Sequence, residues 1–426
     1  MTLQRREFIG LSTLIVGGGL ATGLNSCSRN DKNKISSPLY ELKSMTNGVS
    51  PISLKERETR IEKAQRLMIE NGFEALILDA GTSLLYFTGI RWGQSERTMV
   101  AIIPARGAVK YVCPGFEESR LRELIKIGDK VYAWQEEESP YALIVQLLND
   151  LGIASGSIAV EERIRFFIVD GVRREAPHLS FSSGDQVTIP CRIIKSDTEL
   201  ALMQKANDIT RVAMQYAIDN MEEGMSPSDL SALVSSAHSK LGARHIFGGG
   251  NFGPASAFPH GSVQPQTLKP GDIVLMDCGC KVEGYCSDIS RTLVFGIEPT
   301  ERQNEIWNLE KESQTAGFEA AQLGRPMHEI DDAARRVLVE AGFGPGYKLP
   351  GLPHRTGHGI GMDVHEWGNA VKGNNRILEP GMCFSIEPNI SIVGEFGVRH
   401  EDCAYMTEDG PKWLSEPGSS IDKPFS

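Results

Sequence analysis

The sequence predicts an α+β protein, in which a C-terminal α+β domain follows a smaller α/β domain. The chain has 426 residues, of which 40% are hydrophobic and 23% charged, so it is long enough for two domains with packed cores. Helical and strand patterns alternate from about residue 51 to Pro190, whereas helices and paired strands mix beyond that point. We therefore expect the two domains at residues 51–190 and 191–426.

The first domain shows several changes in the period of its apolar residues. A period of about 3.6 indicates a helix, and alternation or a short apolar run indicates a strand. The predicted helices are residues 54–71 and 141–151, and the predicted strands are residues 75–79, 98–103, 109–113 and 157–160.

The second domain opens with a capping-box signature, in which Ser196 and Glu199 satisfy each other's backbone donors. A helix should follow and stop near Gly224. The other predicted helices are residues 227–241, 301–323 and 327–341, and the predicted strands are residues 273–280, 291–295, 382–386 and 398–406. This mixture favours hairpins in an antiparallel sheet.

The first 26 residues have the pattern of an export signal. Arg5-Arg6 precedes an uncharged apolar stretch, as in twin-arginine signals, and Leu24-Asn25-Ser26-Cys27 resembles a bacterial lipobox. The stretch is too short and glycine-rich for a lasting membrane span. We expect export by the twin-arginine route to the periplasm or cell surface, with lipid on Cys27 as a membrane anchor. A cleaved signal without lipid and an uncleaved anchor are the alternatives.

Residues 27–50 are rich in Ser, Asn, Lys and Asp, which predicts a tether with order beginning near Pro51. The net charge is −11 with both signs interspersed, so we expect no binding to nucleic acid. Of the eight cysteines, the seven other than Cys27 form no Cys-x-x-Cys pair. We interpret them as small buried thiols rather than as a structural zinc site.

A first pair of carboxylates lies in DIVLMDCGCKVEGYCSDISRTLVF. A hairpin turning at residues 282–283, with Gly284 available for a positive φ, would place Asp277 directly opposite Asp288. The Cβ atoms of such a pair are ~5 Å apart.

A second pair lies in GMCFSIEPNISIVGEFGVRHEDCAYM, where a turn centred on Gly394 places Glu387 opposite Glu401. Carboxylates held so close repel unless one is protonated or a cation lies between them. Four carboxylates suit two divalent ions roughly 3.5–4 Å apart. Either pair by itself is more simply explained as solvated acidic residues near a turn, but two such pairs indicate a metal site.

The stretch HRTGHGIGMDVHE, residues 354–366, offers imidazoles for such a site. We expect its glycines to let the backbone approach a metal closely, so that His358 binds the metal while His354 and His365 stand in the outer shell. His260 adds an imidazole upstream. Three further residues could fix the histidine tautomers: Arg355, Asp363 and Glu366.

These stretches resemble the creatinase/aminopeptidase/prolidase family of metallopeptidases, whose catalytic domain has the pita-bread fold. The separated matches are FPHG, MDCGCKVEGYCSDISRT, HRTGHGIGMDVHE, SIEP and GVRHED. Upstream, NGFEALILDAGTSLLYFTG looks like the family's creatinase-type N-terminal domain. The resemblance spans about residues 55 to 415.

The resemblance implies a dinuclear metal site in the C-terminal domain. The implied ligands are Asp277, Asp288, His358, Glu387 and Glu401. It also implies substrate binding by His260 and His365, supporting roles for His354 and Arg399, and proton transfer by Glu387. The implied metals are two divalent ions per chain, with Mn²⁺ first and Co²⁺, Zn²⁺ or Fe²⁺ possible.

The activity that this resemblance implies is hydrolysis of the bond between an N-terminal residue and a following proline, by a hydroxide shared between the ions. The expected partners are a peptide with proline in second position and a second copy of the chain as a homodimer. Dipeptidase and aminopeptidase activity both remain open.

Three alternatives make different predictions. A methionine aminopeptidase shares the five ligands but needs neither a front domain nor an export signal. A non-peptidase amidohydrolase of the same fold would act on a small amide. A catalytically silent binding module would have no use for the intact ligand set. The glycine-rich HIFGGGNFGPAS lacks the lysine of a phosphate loop, so we interpret it as a loop facing the substrate.

Overall fold

The computed structural model describes residues 38–425, and its first part is a mixed six-stranded sheet flanked by helices. The strands are β1 Phe73–Asp79, β2 Val100–Pro104, β3 Lys110–Pro114, β4 Lys130–Trp134, β5 Gly156–Val160 and β6 Leu179–Ser183. The helices are α1 Leu54–Glu70, α2 Thr82–Thr88, α3 Glu118–Leu124, α4 Pro140–Asp150, α5 Phe166–Glu175 and α6 Asp185–Arg192. The strand order is β4-β3-β2-β1-β5-β6.

All six elements predicted in this domain are confirmed within a few residues. Helix α1 starts where predicted because the side chain of Ser53 accepts a hydrogen bond from the backbone of Glu56. The missed elements are short or weakly periodic: α2, α3, β4, α5, β6 and α6.

The described part of the predicted tether, residues 38–50, is packed against the folded body. The Met45 backbone donates to the Leu241 carbonyl at 2.9 Å, and Leu39 and Val49 lie against the main hydrophobic core. The prediction that order begins near Pro51 is therefore wrong for these residues, because their scattered apolar side chains find a surface that local composition does not reveal.

The predicted signal, Cys27 and the first part of the tether lie outside the described residues. Within residues 38–425, every helix is too short or too polar to cross a bilayer.

The second part of the chain contains four long helices and eleven strands within the described residues. The helices are α7 Asp197–Asp219, α8 Pro227–Lys240, α9 Glu301–Ala320 and α10 His328–Glu340. The strands are β7 Arg244–Phe252, β8 Ile273–Val282, β9 Tyr285–Cys286, β10 Ile289–Val294, β11 Gly357–Gly359, β12 Glu366–Ala370, β13 Cys383–Ile386, β14 Asn389–Ile392, β15 Phe396–Arg399, β16 Asp402–Thr407 and β17 Gly410–Trp413.

These strands pair antiparallel in three groups, as expected for an α+β domain. One sheet has the order β10-β8-β7, another the order β12-β11-β13-β16-β17, and β14 pairs with β15. A backbone bridge between Ser290 and Glu401 joins the first sheet to the others. The four predicted helices are confirmed, including the capping box of Ser196 and Glu199, although α7 ends before Gly224.

Residues 245–252 of the glycine-rich stretch predicted as a loop belong to strand β7 instead, and only the last four residues of the stretch lie outside it. A Cβ on Gly248 would lie 2.8 Å from Val234, and one on Gly250 would lie 2.8 Å from Leu230, both on α8. Glycine here lets the helix pack closely against the strand, so the composition that suggested a loop reflects close packing.

The seven cysteines among the described residues are buried and unpaired, which confirms their interpretation as packing thiols. Cys278 and Cys280 are fully buried and alternate with Asp277 along β8, so they point away from its carboxylate.

Candidate metal centre

The first hairpin brings two carboxylates to one face, with a register that differs from the prediction. Asp277 pairs with Ser290 rather than with Asp288. The turn lies at Glu283 and Gly284, whose φ values of 49° and 99° suit a tight two-residue hairpin turn, so its centre is one residue later than predicted. The pairing therefore shifts by two residues, one full period of side-chain alternation, and both aspartates keep the same face.

The second hairpin has the predicted register. Asn389 pairs with Arg399 on one side and Ile386 pairs with Asp402 on the other, which sets Glu387 opposite Glu401 about the turn at Gly394. The two glutamates lie between the strand pairs β13–β16 and β14–β15, where the hairpin passes from one sheet to the other. The predicted strand over 398–406 is thus interrupted at Glu401.

The five predicted ligands converge on one place. His358 Nε2 lies 3.2 Å from Glu387 Oε1, 3.5 Å from Asp288 Oδ2 and 3.7 Å from Glu401 Oε1. Three groups of side chains each hold one ligand atom per residue within 4.8 Å of the others: Asp277–Asp288–Glu401, His358–Glu387–Glu401 and Asp288–His358–His365. The first two groups share Glu401, so they adjoin at that carboxylate.

Local hydrogen bonds orient the imidazole of His358. Its Nδ1 donates to the Gly359 carbonyl at 3.0 Å, so Nε2 is the ring nitrogen that faces the carboxylates, where either a proton or a metal ion can lie between them. Ser385 Oγ accepts from the His358 backbone and donates to Glu387 Oε1. Such outer contacts fix ligand orientation at metal sites.

Ser290 and Arg399 orient the acidic side of the cluster. Ser290 Oγ donates to Glu401 Oε2 at 2.8 Å and accepts from Arg399 Nε at 2.9 Å. The Arg399 guanidinium also pairs with Asp277 Oδ2. Arg399 therefore contacts the cluster itself.

Two of the four carboxylates, Asp288 and Glu401, lack enough positive charge around them, whereas, against the effect of burial, the hydrogen bond with His358 lowers the pKa of Glu387 to about 2. Burial and the charge of Asp277 raise the pKa of Asp288 to about 7, despite the hydrogen bond with His358. Burial and the charges of Asp288 and Glu387 raise the pKa of Glu401 well above its ordinary value. Among the described residues, Asp277 Oδ1 and Glu401 Oε1 are buried without a hydrogen-bond partner. This set of ligand atoms is mostly carboxylate oxygen, and some of these atoms have no hydrogen-bond partner, so it fits divalent cations. Such cations would compete with protons for the same oxygen atoms.

Glycines in the histidine stretch serve the neighbouring strands rather than a metal, which corrects our expectation. A Cβ on Gly357 would collide with the Ser385 carbonyl, and one on Gly359 would collide with the Trp367 carbonyl. These contacts let β11 lie close to β12 and β13 and so hold His358 in place.

Of the three residues predicted to fix the histidine tautomers, Arg355 does so through its backbone carbonyl rather than its side chain. His354 Nδ1 donates to the Arg355 carbonyl at 2.8 Å, and backbone oxygen likewise serves His358. Asp363 and Glu366 instead pair with cationic side chains, so the predicted role for these two acids is wrong.

The remaining predicted residues line a cleft beside the cluster. A cavity of about 570 Å³ is lined by His260, His354, His365, Glu387 and Arg399. A second cavity, of about 580 Å³, adjoins Asp277 and the glycines of β7, and it shares His260 with the first.

His365 stands at the mouth of this cleft. Its ring centroid is 4.2 Å from that of His358, and burial together with the charge of His358 lowers its pKa to about 4. A neutral imidazole here can donate one hydrogen bond to a developing oxyanion.

Comparisons with known proteins match both parts of the chain. Residues 201–408 match metallopeptidase family M24, and residues 60–194 match the creatinase/prolidase N-terminal domain. The chain is 32% identical to a Xaa-Pro dipeptidase of Lactobacillus delbrueckii subsp. lactis, over 83% of this chain and 95% of that protein.

Two solved structures are similar over nearly their whole length. Dipeptidase PepE from Mycobacterium ulcerans has a TM-score of 0.79 at 28% identity, over 87% of this chain and 98% of the other. A prolidase from Thermococcus sibiricus has a TM-score of 0.78 at 28% identity, over 86% of this chain and 98% of the other. The chain belongs to metallopeptidase family M24, with a pita-bread domain behind a creatinase-type N-terminal domain, and is an enzyme of the metallopeptidase class.

Proposed function

We propose that this protein is a dinuclear metallo-exopeptidase that hydrolyses the bond between an N-terminal residue and proline. The observation that supports this most directly is the pair of adjoining ligand groups that share Glu401. Asp277, Asp288 and Glu401 would hold one divalent ion, and His358, Glu387 and Glu401 the other, with Mn²⁺ the first candidate. When bound, such ions polarise a carbonyl oxygen and acidify a water molecule.

The side chains around these positions supply the rest of the chemistry. The Glu387 carboxylate faces the cleft that His365 lines, so it can take a proton from the attacking water and deliver it to the departing proline nitrogen. His365 and His260, on the same cleft, would donate to the carbonyl oxygen and orient the peptide. Arg399 keeps Asp277 and Ser290 in place through the contacts described above.

The cleft also has features that suit a prolyl leaving group. Phe258, Pro259 and Pro353 give it apolar surface that a pyrrolidine ring could contact, and Arg355 adds a cation that could face a free carboxylate. Several relatives have matching names, including Xaa-Pro dipeptidase and prolidase. We therefore place dipeptides ending in proline first among the substrates, with longer peptides carrying proline in second position as the aminopeptidase alternative.

An assay on purified protein tests this proposal. The protein, stripped of metal and reloaded with Mn²⁺, is given Ala-Pro, Ala-Pro-amide, Ala-Pro-Ala and Met-Ala. We expect cleavage of Ala-Pro and no cleavage of Met-Ala, with activity lost in the stripped protein. The amide removes only the free carboxylate, so faster cleavage of Ala-Pro than of Ala-Pro-amide, reduced in Arg355→Gln, would indicate a dipeptidase.

Two results would contradict the proposal. Cleavage of Met-Ala with none of the proline peptides would indicate a different exopeptidase. Full activity in protein shown by elemental analysis to contain no divalent metal would remove the metal mechanism.

We also propose that the protein is exported by the twin-arginine route and anchored by lipid on Cys27, in the periplasm or at the cell surface. This rests on Arg5-Arg6 and on the stretch ending in Cys27. Labelling cells with a radioactive or alkyne fatty acid should mark the wild type but not Cys27→Ser. Equal labelling of both would contradict lipid attachment at this residue.

A further inference from the structure

A second buried acidic cluster lies beside the metal centre, in the loop that joins β11 to β12. This loop begins after the candidate ligand His358 and ends with His365 and Glu366. Side chains of the front domain, including Arg192 at the end of α6, hold it together with Lys195, which lies just after α6. We name the whole set the loop clamp, which consists of Thr82, Arg163, Arg192, Lys195, Asp363 and Glu366.

Glu366 is the centre of the loop clamp. Its Oε1 accepts from the backbone of Met362 at 3.0 Å and from Arg192 at 2.5 Å. Its Oε2 lies 3.1 Å from Lys195 Nζ. The side chains of Glu366, Arg192 and Lys195 are each only 2% exposed. One carboxylate therefore closes the loop on itself and fastens it to the segment that connects the domains.

The loop residue Asp363 makes the connection to the front domain. Its Oδ1 accepts from Thr82 Oγ1 at 2.7 Å, and its Oδ2 lies 2.9 Å from Arg192 and 3.2 Å from Arg163. Arg163 also donates to the backbone carbonyl of His365 at 3.1 Å. The backbone that carries His365 is thus held by a front-domain side chain, and its two acidic neighbours are held by ion pairs.

The fit of Glu366 depends on a glycine in the histidine stretch. A Cβ on Gly361 would lie 2.6 Å from Glu366 Oε2, so a side chain at that position would displace the carboxylate. The close contact with the carboxylate explains why residue 361 is a glycine, although metal binding does not require one there. It also shows that the loop is shaped around the buried carboxylate.

We infer that Glu366 is a positioning residue, which, with Arg192, Lys195 and Arg163, sets where the His365 imidazole stands in the cleft. This inference rests on the proposed function, in which His365 donates to the substrate carbonyl. Glu366 belongs to none of the candidate ligand groups, and its two oxygens pair with Arg192 and Lys195, so it acts through His365 rather than by holding metal. The front domain thereby helps to shape a catalytic loop of the other domain.

A double-mutant cycle between Glu366 and His365 tests the inference. Glu366→Gln should lower kcat on Ala-Pro by ~10–100-fold, as outer-shell changes do at metal sites, with little change in KM and unchanged bound metal. In a His365→Ala background the same substitution should have almost no further effect on kcat, because the residue it positions is gone. Losses that multiply in the double variant would overturn the inference.

A matched control separates positioning from general loss of stability. Glu199 is also buried and lies 3.3 Å from Arg60, in an ion pair that likewise joins the front domain to the other domain. Glu199→Gln should lower thermal stability as Glu366→Gln does while leaving kcat unchanged. Equal falls in kcat for both variants would show that the loop clamp is only structural.

A surface variant keeps the test valid if Glu366→Gln does not fold. The Arg163 side chain is 57% exposed, so Arg163→Ala removes its contact with the His365 carbonyl without burying a charge. We expect a severalfold fall in kcat that disappears in the His365→Ala background. An unchanged kcat would overturn the inference, whereas failure of the wild type to cleave any proline peptide would overturn the proposed function instead.

Discussion

The metal centre and the loop clamp are both buried and acidic, but they differ in how their charge is balanced. In the loop clamp, the carboxylates of Asp363 and Glu366 pair with three cations, which are Arg163, Arg192 and Lys195. Glu162, outside the clamp, lies 3.9 Å from Arg192, so three carboxylates in all face three cations. In the metal centre, four carboxylates share Arg399 and one imidazole.

The pKa values express this difference. Against the effect of burial, Lys195 and Arg192 lower the pKa of Glu366 to about 2. In the metal centre, His358 likewise lowers the pKa of Glu387 to about 2, but burial and neighbouring acids raise that of Glu401 well above its ordinary value. Burial of acids therefore does not by itself identify a metal site. What sets the metal centre apart is that several buried carboxylates converge where positive charge and hydrogen-bond donors are short.

The largest expected effect comes from removing a shared ligand of the metal centre. Glu401 belongs to two of the three ligand groups. Glu401→Ala should lower kcat/KM by more than ~100-fold, since changes outside the ligand shell already reach that size, and should lower bound metal with it. Steady-state kinetics and elemental analysis of the same sample measure both. Retained activity would contradict the ligand assignment.

The opposite charge balance of the two clusters predicts opposite effects on metal-free stability. Glu366→Gln leaves buried cations short of a partner and should destabilise the fold by about 3 kcal/mol. Glu401→Gln removes a carboxylate that burial and its neighbours disfavour, so it should leave metal-free stability unchanged or higher. Urea unfolding in EDTA measures both variants, and a loss of equal size in each would contradict the distinction.

The contribution of Glu366 to the unfolding free energy should fall as the solution becomes strongly acidic. Its folded pKa of about 2 lies below the ordinary 4.5, so its stabilisation is complete above the ordinary value and is lost as pH falls toward the folded one. The difference in unfolding free energy between wild type and Glu366→Gln should therefore be constant from about pH 8 to pH 6 and shrink in stronger acid. Shrinkage already above pH 6 would contradict the ion-pair interpretation.

The increase in unfolding free energy that metal binding produces should depend on the metal centre and not on the loop clamp. Mn²⁺ at a hundred times its Kd should raise the unfolding free energy of the wild type by about 2.7 kcal/mol for each site. Glu366→Gln should show the same increase, and Glu401→Ala a much smaller one. Thermal unfolding with and without Mn²⁺ measures the effect, and an undiminished increase in Glu401→Ala would place the metal elsewhere.

The smallest effect that we predict concerns a contact outside the ligand set. Ser290 Oγ donates to Glu401 Oε2 at 2.8 Å and accepts from Arg399. Ser290→Ala should weaken metal binding about tenfold while leaving the number of bound ions unchanged. Competition with a metal chelator measures the affinity. Ser287→Ala is the control, at a buried serine that bonds to Cys280 and Thr210 rather than to a carboxylate.

Local pattern, with the family resemblance, was enough to predict which five side chains converge at the candidate metal centre and most of the helices. Alternation and the turn at Gly394 predicted the pairing of Glu387 with Glu401. In the other hairpin the turn at Glu283 lies one residue later than predicted, so the predicted register was wrong. Ser290 and Ser385 each lie two residues from a ligand, so the same alternation would have revealed them as partners of the carboxylates.

The loop clamp could not be predicted in this way because its contacts join distant parts of the chain. Arg163 and His365 are separated by 202 positions, and Arg192 and Glu366 by 174. Nothing in the sequence around Arg163 or Arg192 indicates an acidic partner. The prediction of a loop at the glycines of β7 was wrong for a related reason. Their packing partners on α8 are determined by the fold and not by local sequence.

The number of divalent ions bound per chain tests the central claim most directly. Metal-free protein, titrated with Mn²⁺ and followed by calorimetry and elemental analysis, should bind two ions per chain, and activity should rise with that occupancy. Binding of no ion, or of two ions undiminished after Glu401→Ala, would show that these carboxylates are not the metal centre.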